Sequence, residues 1–168
     1  MMTQTEISIE RAKAEDASEI AEFVNRTGGR RALLEKMDVI ERFGDVGLFV
    51  AKEEGAVVGI LGWQIENLVA RVTDLLVRPA SLRDMVGKAL LSTMEDAASE
   101  LQCEAAILSL PKPTPSALVD FGHRLGYEPT VVSDLPRAWR EAANEVGFED
   151  NDTVLLKKLR SDRVMRPF

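Results

Sequence analysis

The sequence predicts a single α/β domain, in which a mixed β-sheet carries helices on both of its faces. Three observations favour this class. The chain has 168 residues, which is enough for one domain and too few for two ordinary ones. The spacing of its apolar residues alternates between a period of 3.6 residues, which is typical of helices, and a period of 2 residues, which is typical of strands. No repeat or Pro/Gly-rich linker divides it, so we expect one domain over residues 1–160 and a basic tail over 161–168.

The first half of the chain predicts a strand, two helices and three further strands. Ile7–Arg11 alternates apolar and polar residues, and segments 15–27 and 33–43 place apolar residues at helical spacing, the first ending at Gly28-Gly29. The period then changes to 2, and short turns separate three strands of an antiparallel meander. These strands are Leu48–Lys52, Ala56–Ile65 and Leu68–Val77.

The second half predicts alternating helices and strands. Ser81 is expected to cap a long helix, with Asp84 at the capping-box position. A helix that begins at Thr114-Pro115 and ends at Gly126 follows, and another occupies 134–146. The predicted order is β-α-α-β-β-β-α-β-α-β-(α)-β, and both crossovers suit βαβ units with a parallel step. The strands of this half are Ala105–Leu110, Pro129–Val132 and Thr153–Leu159.

Composition limits the partners and the chemistry. A net charge of −7 argues against nucleic acid as the main partner, because phosphate neutralisation needs clustered Lys and Arg. No apolar run reaches the ~20 residues of a membrane span, and Met1–Glu6 is too polar for a secretory signal, so we expect no membrane partner. The single cysteine, Cys103, excludes an internal disulfide and a cysteine-built zinc site, and with one histidine, His123, we expect no metal. A cytoplasmic location is the default.

Three segments resemble the acetyl-CoA-dependent N-acetyltransferase superfamily, GNAT. Asp74–Pro79 (DLLVRP) is similar to the family's strand-end pattern L-x-V-x-P. Leu82–Leu91 (LRDMVGKALL) lies where the family has R/Q-x-x-G-x-G/A followed by two leucines. Phe121–Tyr127 (FGHRLGY) is similar to the family's helix end F-Y-x-x-L-G-F. The similarity in element order covers Ile7–Leu159 and implies the GNAT acyl-CoA N-acyltransferase fold.

The resemblance implies acetyl-CoA as the co-substrate. In the family, a strand end pairs with the pantetheine amides and the following helix N-terminus holds the pyrophosphate. A helix N-terminus suits this role because it offers unpaired N–H groups and about half a positive charge. The cofactor-binding residues implied here are Leu75, Leu76, Val77, Arg83, Met85, Val86, Gly87 and Lys88.

The chain departs from the family pattern at several positions. Leu82 stands where the family has Arg or Gln, and Met85 stands at its first Gly. Gly122 replaces a tyrosine that acts as general acid in many members. Arg83 and Lys88 could supply charge in place of the lost glycine contacts.

Two residues are the candidate catalytic groups. Asp74 is the candidate general base, because a buried carboxylate acquires a pKa suited to accepting an amine proton; a salt bridge to Arg71 or Arg78 is the alternative. His123, one residue past the tyrosine position, is the candidate proton donor. A one-residue shift turns a helical side chain by ~100°, so a solvent-facing histidine is its alternative.

The implied function is transfer of an acetyl or other acyl group from acyl-CoA to an amine of a small molecule or peptide. The amine would attack the thioester directly, and without the tyrosine turnover would be slow. The departures leave a second hypothesis, a catalytically degenerate GNAT-like domain that senses a ligand or binds a protein. A third hypothesis, a dimerising structural protein, leaves a homodimer open.

The remaining candidates have structural interpretations. Cys103 and Tyr127 are expected in the core, while Trp63 and Gln64 suit either the core or an acceptor pocket. Gly28–Arg31 is expected to connect two helices, with Arg30 and Arg31 near an acidic acceptor. The basic C-terminal end, from Lys157 onward, is expected to be a solvated strand edge and a loose tail, with self-association as the alternative.

Overall fold

The computed structural model describes residues 6–27, 47–108 and 116–160, and in these ranges strands and helices follow the predicted order. The strands are β1 (Ile7–Arg11), β2 (Gly47–Glu53), β3 (Ala56–Glu66), β4 (Val69–Val77), β5 (Ala105–Leu108), β6 (Glu128–Val131) and β7 (Thr153–Lys158). The helices are α1 (Ala17–Thr27), α2 (Arg83–Glu100), α3 (Ser116–Arg124) and α4 (Arg137–Glu145). The predicted helix at 33–43, the Gly28–Arg31 connection, the Thr114-Pro115 helix start and the tail at 161–168 lie outside the described residues.

The strands form a mixed seven-stranded sheet in the order β1-β2-β3-β4-β5-β7-β6. β1 and β2 pair antiparallel, as do β2 and β3. β4 and β5 pair parallel from Val69↔Ala105 to Val72↔Leu108, which confirms the first predicted βαβ unit. β7 lies between β5 and β6 and runs antiparallel to both. β5 and β6 are therefore parallel, as the second predicted βαβ unit requires, but they do not pair with each other. Both sides of the apolar β5 are thereby paired.

Two local predictions are corrected. Leu68 was expected to begin a strand, but Asn67 and Leu68 both have positive φ and form the turn before β4. Ser81 was expected to cap the long helix, but it lies inside a short 3-10 turn, Ala80–Leu82, that begins after Pro79 and has no side-chain cap. The N–H of Leu82 donates to the carbonyl oxygen of Pro79 at 2.9 Å, so a turn of backbone replaces the capping side chain.

The described residues fall into two compact units, Met1–Trp63 with Asp74–Met94, and Gln64–Thr73 with Glu95–Phe168. In the first unit, Ile20 and Phe23 of α1 share a core cluster with Val50 and Ile60. Gly59, the neighbour of Ile60 on β3, lies against α2. Because adjacent strand residues point to opposite faces, α1 and the start of α2 cover opposite faces of this unit's strands, as predicted.

The second unit has the same arrangement around β5 and β7. Trp139 of α4 packs with Ile107 and Val154 in one core cluster. On the opposite face, Gly122 of α3 lies against Leu155, the neighbour of Val154. No helix in the described parts of the chain is both long and apolar enough to cross a membrane.

A buried carboxylate joins α1 to the sheet in the first unit. Asp16, 7% exposed, accepts from the Lys13 backbone N–H at 2.8 Å and from the Lys52 ammonium at 3.1 Å. The ammonium also lies 2.9 Å from Glu10. The Lys13 N–H, followed by Lys52, lowers the pKa of Asp16 although burial opposes the shift.

We therefore expect Asp16→Asn to lower the free energy of unfolding by about 1–2 kcal/mol at pH 7. A carboxyl group whose pKa is lowered in the folded state stabilises the protein at pH values above its ordinary pKa of 3.8. This stabilisation is lost as the pH falls and the group becomes protonated. The difference between the variant and the wild type should thus shrink on acidification from pH 7 to pH 3, as measured by urea unfolding. Glu22→Gln, an exposed change on α1, serves as the control, and a difference that does not depend on pH would contradict the assignment.

Candidate functional site

The end of β4 and the start of α2 lie together in the first unit. Leu75, Leu76 and Val77 are half-buried, and Leu76 packs against the α1 core cluster. The N–H of Arg78 donates to the carbonyl oxygen of Val58 on β3 at 2.9 Å. The chain then passes through a cis Arg78-Pro79 peptide and the 3-10 turn into α2. The structure thus brings the first and second resemblance segments into one continuous strand–turn–helix.

The first turns of α2 present charged side chains to solvent and apolar atoms to the sheet, and the exposed charges include Asp84. Arg83, Met85 and Lys88 are exposed, Met85 by 51%. Val86 and Gly87 are buried. Among the predicted cofactor residues on this helix, Arg83, Met85 and Lys88 can therefore contact a ligand through their side chains, while Val86 and Gly87 set how the helix rests on the strands.

Gly59 on β3 allows this close packing. A Cβ atom at position 59 would lie 2.9 Å from Cγ1 of Val86 and 3.1 Å from Cδ1 of Leu90, both on α2. It would also lie 3.3 Å from the carbonyl oxygen of Leu76 on β4. Gly59 is not among the residues predicted from sequence to form the site, although a glycine within a strand often marks a close approach of another element.

The candidate base Asp74 lies in the same unit, one residue before Leu75. It is half-buried on β4, which leaves part of its side chain accessible. Arg71, proposed from sequence as one salt-bridge alternative, lies in the second unit and is 4% exposed. Its guanidinium donates to the carbonyl oxygen of Ala142 at 2.9 Å and to Gln64 at 3.2 Å. Arg71 thus binds the end of α4 and Gln64.

The candidate proton donor His123 lies in the second unit, in the last turn of α3. Its side chain is 65% exposed, and Nδ1 lies 3.1 Å from Oε1 of Glu128. This exposure agrees with the solvent-facing alternative. The proton-donor role stays a prediction.

Gly122 packs closely against Leu155. It stands at the position where many family members have tyrosine. A Cβ atom there would lie 2.5 Å from Cδ1 of Leu155, and Leu155 is buried. Tyr127 is fully buried, as predicted, and its hydroxyl donates to Glu95 at 2.9 Å. Burial, together with the Glu95 charge, raises the pKa of Tyr127, so this tyrosine is a core residue and not an accessible acid.

The other sequence candidates are mostly core residues. Cys103 is buried, and burial raises the pKa of its thiol. Trp63 is buried and stacks on Phe49 with ring centroids 6.2 Å apart. Lys157 was expected on a solvated edge, but its ammonium lies 2.7 Å from Glu95 and 5.6 Å from the centre of the Tyr127 ring.

A mixed sheet with helices on both faces, in which a charged helix follows β4, agrees with the α/β fold that the sequence resemblance implies. A family model described as the acetyltransferase (GNAT) family matches residues 14–127. Since this match covers more than half of the chain, the protein belongs to the GNAT acetyltransferase family. No curated protein sequence matches the chain.

Solved structures share the fold at low sequence identity. A GNAT-family acetyltransferase from Staphylococcus aureus has a TM-score of 0.69 and 16% identity, over 92% of this chain and 100% of that chain. The ribosomal-protein-S18-alanine N-acetyltransferase from Escherichia coli has a TM-score of 0.66 and 12% identity, over 97% and 100%. A GNAT-family N-acetyltransferase from Escherichia coli, solved with CoA, has a TM-score of 0.65 and 18% identity, over 96% and 86%. These likenesses confirm the predicted fold.

We expect Gly59→Ala to destabilise the protein by about 1–3 kcal/mol, because the added methyl group overpacks the contact between β3 and α2. Val86→Ala removes the nearest of the atoms that the new Cβ would meet. The double variant should therefore be more stable than the sum of the single changes predicts, by at least about 0.5 kcal/mol. Urea unfolding of the four proteins measures this coupling, and strictly additive changes would show that Gly59 does not set the helix position.

Proposed function

We propose that this protein transfers an acyl group, acetyl in the first instance, from acyl-CoA to an amine of a small molecule or peptide. The observation that carries the proposal is the exposed pair Arg83 and Lys88 on the first turns of α2, directly after the strand end Leu75–Val77. Family membership and the CoA bound in an Escherichia coli relative support the same donor.

The residues at the start of α2 fit an acyl-CoA. Guanidinium and ammonium groups bind phosphate oxygens by charge-assisted hydrogen bonds, and the helix N-terminus adds the favourable end of its dipole. Met85 replaces a glycine, so phosphate contact at this position would rely on Arg83 and Lys88. Leu75–Val77 would hold the pantetheine arm through their backbone groups, as the family resemblance implies.

The chemistry that we propose is direct attack of the amine on the thioester. The thioester supplies an acyl group activated for transfer to nitrogen. Asp74 would accept the proton that the attacking amine loses, and the released thiolate would take a proton from water or from His123. Cys103, the single cysteine of the chain, is buried with a raised thiol pKa, which disfavours a covalent acyl-cysteine route.

Calorimetric titration with acetyl-CoA tests the donor. We expect Arg83→Gln/Lys88→Gln to weaken binding about tenfold or more, because two charge-assisted contacts are lost. Arg137→Gln/Lys158→Gln removes the same charge from exposed positions on α4 and β7 and should leave the affinity unchanged. Absence of binding at millimolar acetyl-CoA would refute the proposal. Binding without CoA release across a panel of amines would instead favour a ligand sensor.

A second prediction concerns the base. We expect Asp74→Asn to lower kcat/KM by about 10²-fold or more at neutral pH, with a smaller loss at high pH, where the amine is already deprotonated. Asp96→Asn, the same change at an exposed position of α2, is the control. A loss of kcat/KM in Asp74→Asn that does not vary with pH would exclude the base role of Asp74.

His123 is tested in the same way. If His123→Asn lowers kcat but leaves the affinity for acetyl-CoA unchanged, this result supports His123 as the proton donor.

A further inference from the structure

A cavity of about 460 Å³ lies in the first unit, beside the connection between β4 and α2. Its volume falls within the range of roughly 300–1,000 Å³ that small-ligand sites occupy. The lining residues come from α1, from the start of β3 and from the connection itself: Phe23, Arg26, Val57, Arg78, Pro79 and Ala80.

The lining combines an apolar surface with positive charge. Phe23 and Val57 are core residues whose outer faces reach the cavity. Arg26 and Arg78 are exposed side chains from two different elements. None of the described lining residues is acidic, although the chain as a whole carries a net charge of −7. The cavity therefore favours a negative ligand, although the chain as a whole is acidic.

Hydrogen bonds join the walls of the cavity to one another. The Val57 N–H donates to Oε1 of Glu19 on α1 at 3.2 Å. This hydrogen bond joins the walls formed by β3 and α1. It also gives a partner to the Glu19 carboxylate, which lies one helical turn before Phe23. The Arg78 N–H donates to the Val58 carbonyl oxygen at 2.9 Å, which ties the third wall to β3. A site whose walls are already held loses little free energy to ordering when a ligand binds.

We propose that this cavity binds a small organic oxyanion, with its charged group between Arg26 and Arg78 and an apolar group against Phe23 and Val57. Guanidinium groups bind phosphate and carboxylate oxygens in a bidentate way, and the apolar wall selects an anion that carries a hydrophobic group. This second site uses different cations from Arg83 and Lys88, so it does not depend on the proposed acyl-CoA site.

The test titrates the full chain with phenyl phosphate, which has both features, and compares it with benzyl alcohol and inorganic phosphate. Calorimetry gives the affinity, and the methyl NMR signals of Val57 report where the probe binds. We expect phenyl phosphate to bind at least tenfold more tightly than either comparator and to shift the Val57 signals. Equal binding of phenyl phosphate and benzyl alcohol, or unchanged Val57 signals, would overturn the proposal.

Two sets of variants separate this site from the acyl-CoA site. Arg26→Gln and Arg78→Gln should each weaken phenyl phosphate about tenfold, while Arg26→Gln leaves acetyl-CoA binding unchanged. Arg83→Gln/Lys88→Gln should leave phenyl phosphate binding unchanged. If phenyl phosphate instead competes with acetyl-CoA and responds only to the Arg83 and Lys88 changes, the probe occupies the donor site and the second site does not exist.

Discussion

Helix α2 can approach β3 because Gly59 has no side chain. The contacts that a Cβ atom would make with Val86, Leu90 and the Leu76 carbonyl show that three elements meet at this point. The same approach places the first turns of α2 beside the end of β4, where the candidate donor-binding residues lie. A larger residue at position 59 would move the helix start away from the strand end, and protein interiors have little free volume to absorb such a shift.

Several cations of the described residues form contacts inside the protein, and several others are exposed to solvent. Lys52, Arg71 and Lys157 form internal contacts with Asp16, the Ala142 carbonyl and Glu95, and these contacts stabilise helix packing within each unit. Arg26, Arg78, Arg83 and Lys88 are exposed in the first unit. The chain has a net charge of −7, so these exposed cations are local positive sites on an acidic protein.

Burial removes two side chains from those that could exchange a proton with a substrate. Tyr127 hydrogen-bonds to Glu95 in the core, and Cys103 is buried with a raised thiol pKa. Leu155 occupies the space beside Gly122, so restoring a tyrosine at position 122 would require buried side chains to move. Asp74, His123 and water stay the candidates for the proposed proton transfers, and we expect slow turnover without an accessible tyrosine.

The sequence by itself determined the order and type of the described elements, because the change between periods of 3.6 and 2 follows from which face each element buries. The family resemblance in the sequence also indicated Leu75–Val77 and Arg83–Lys88 as candidate site residues, since a strand end followed by a helix start is a local pattern. The tertiary structure alone decided that β7 lies between β5 and β6, that Arg71 binds the end of α4, and that Arg26 and Arg78 line one cavity. These features join residues that are distant in the chain, and their pairing depends on packing and hydrogen-bond geometry that no local pattern records.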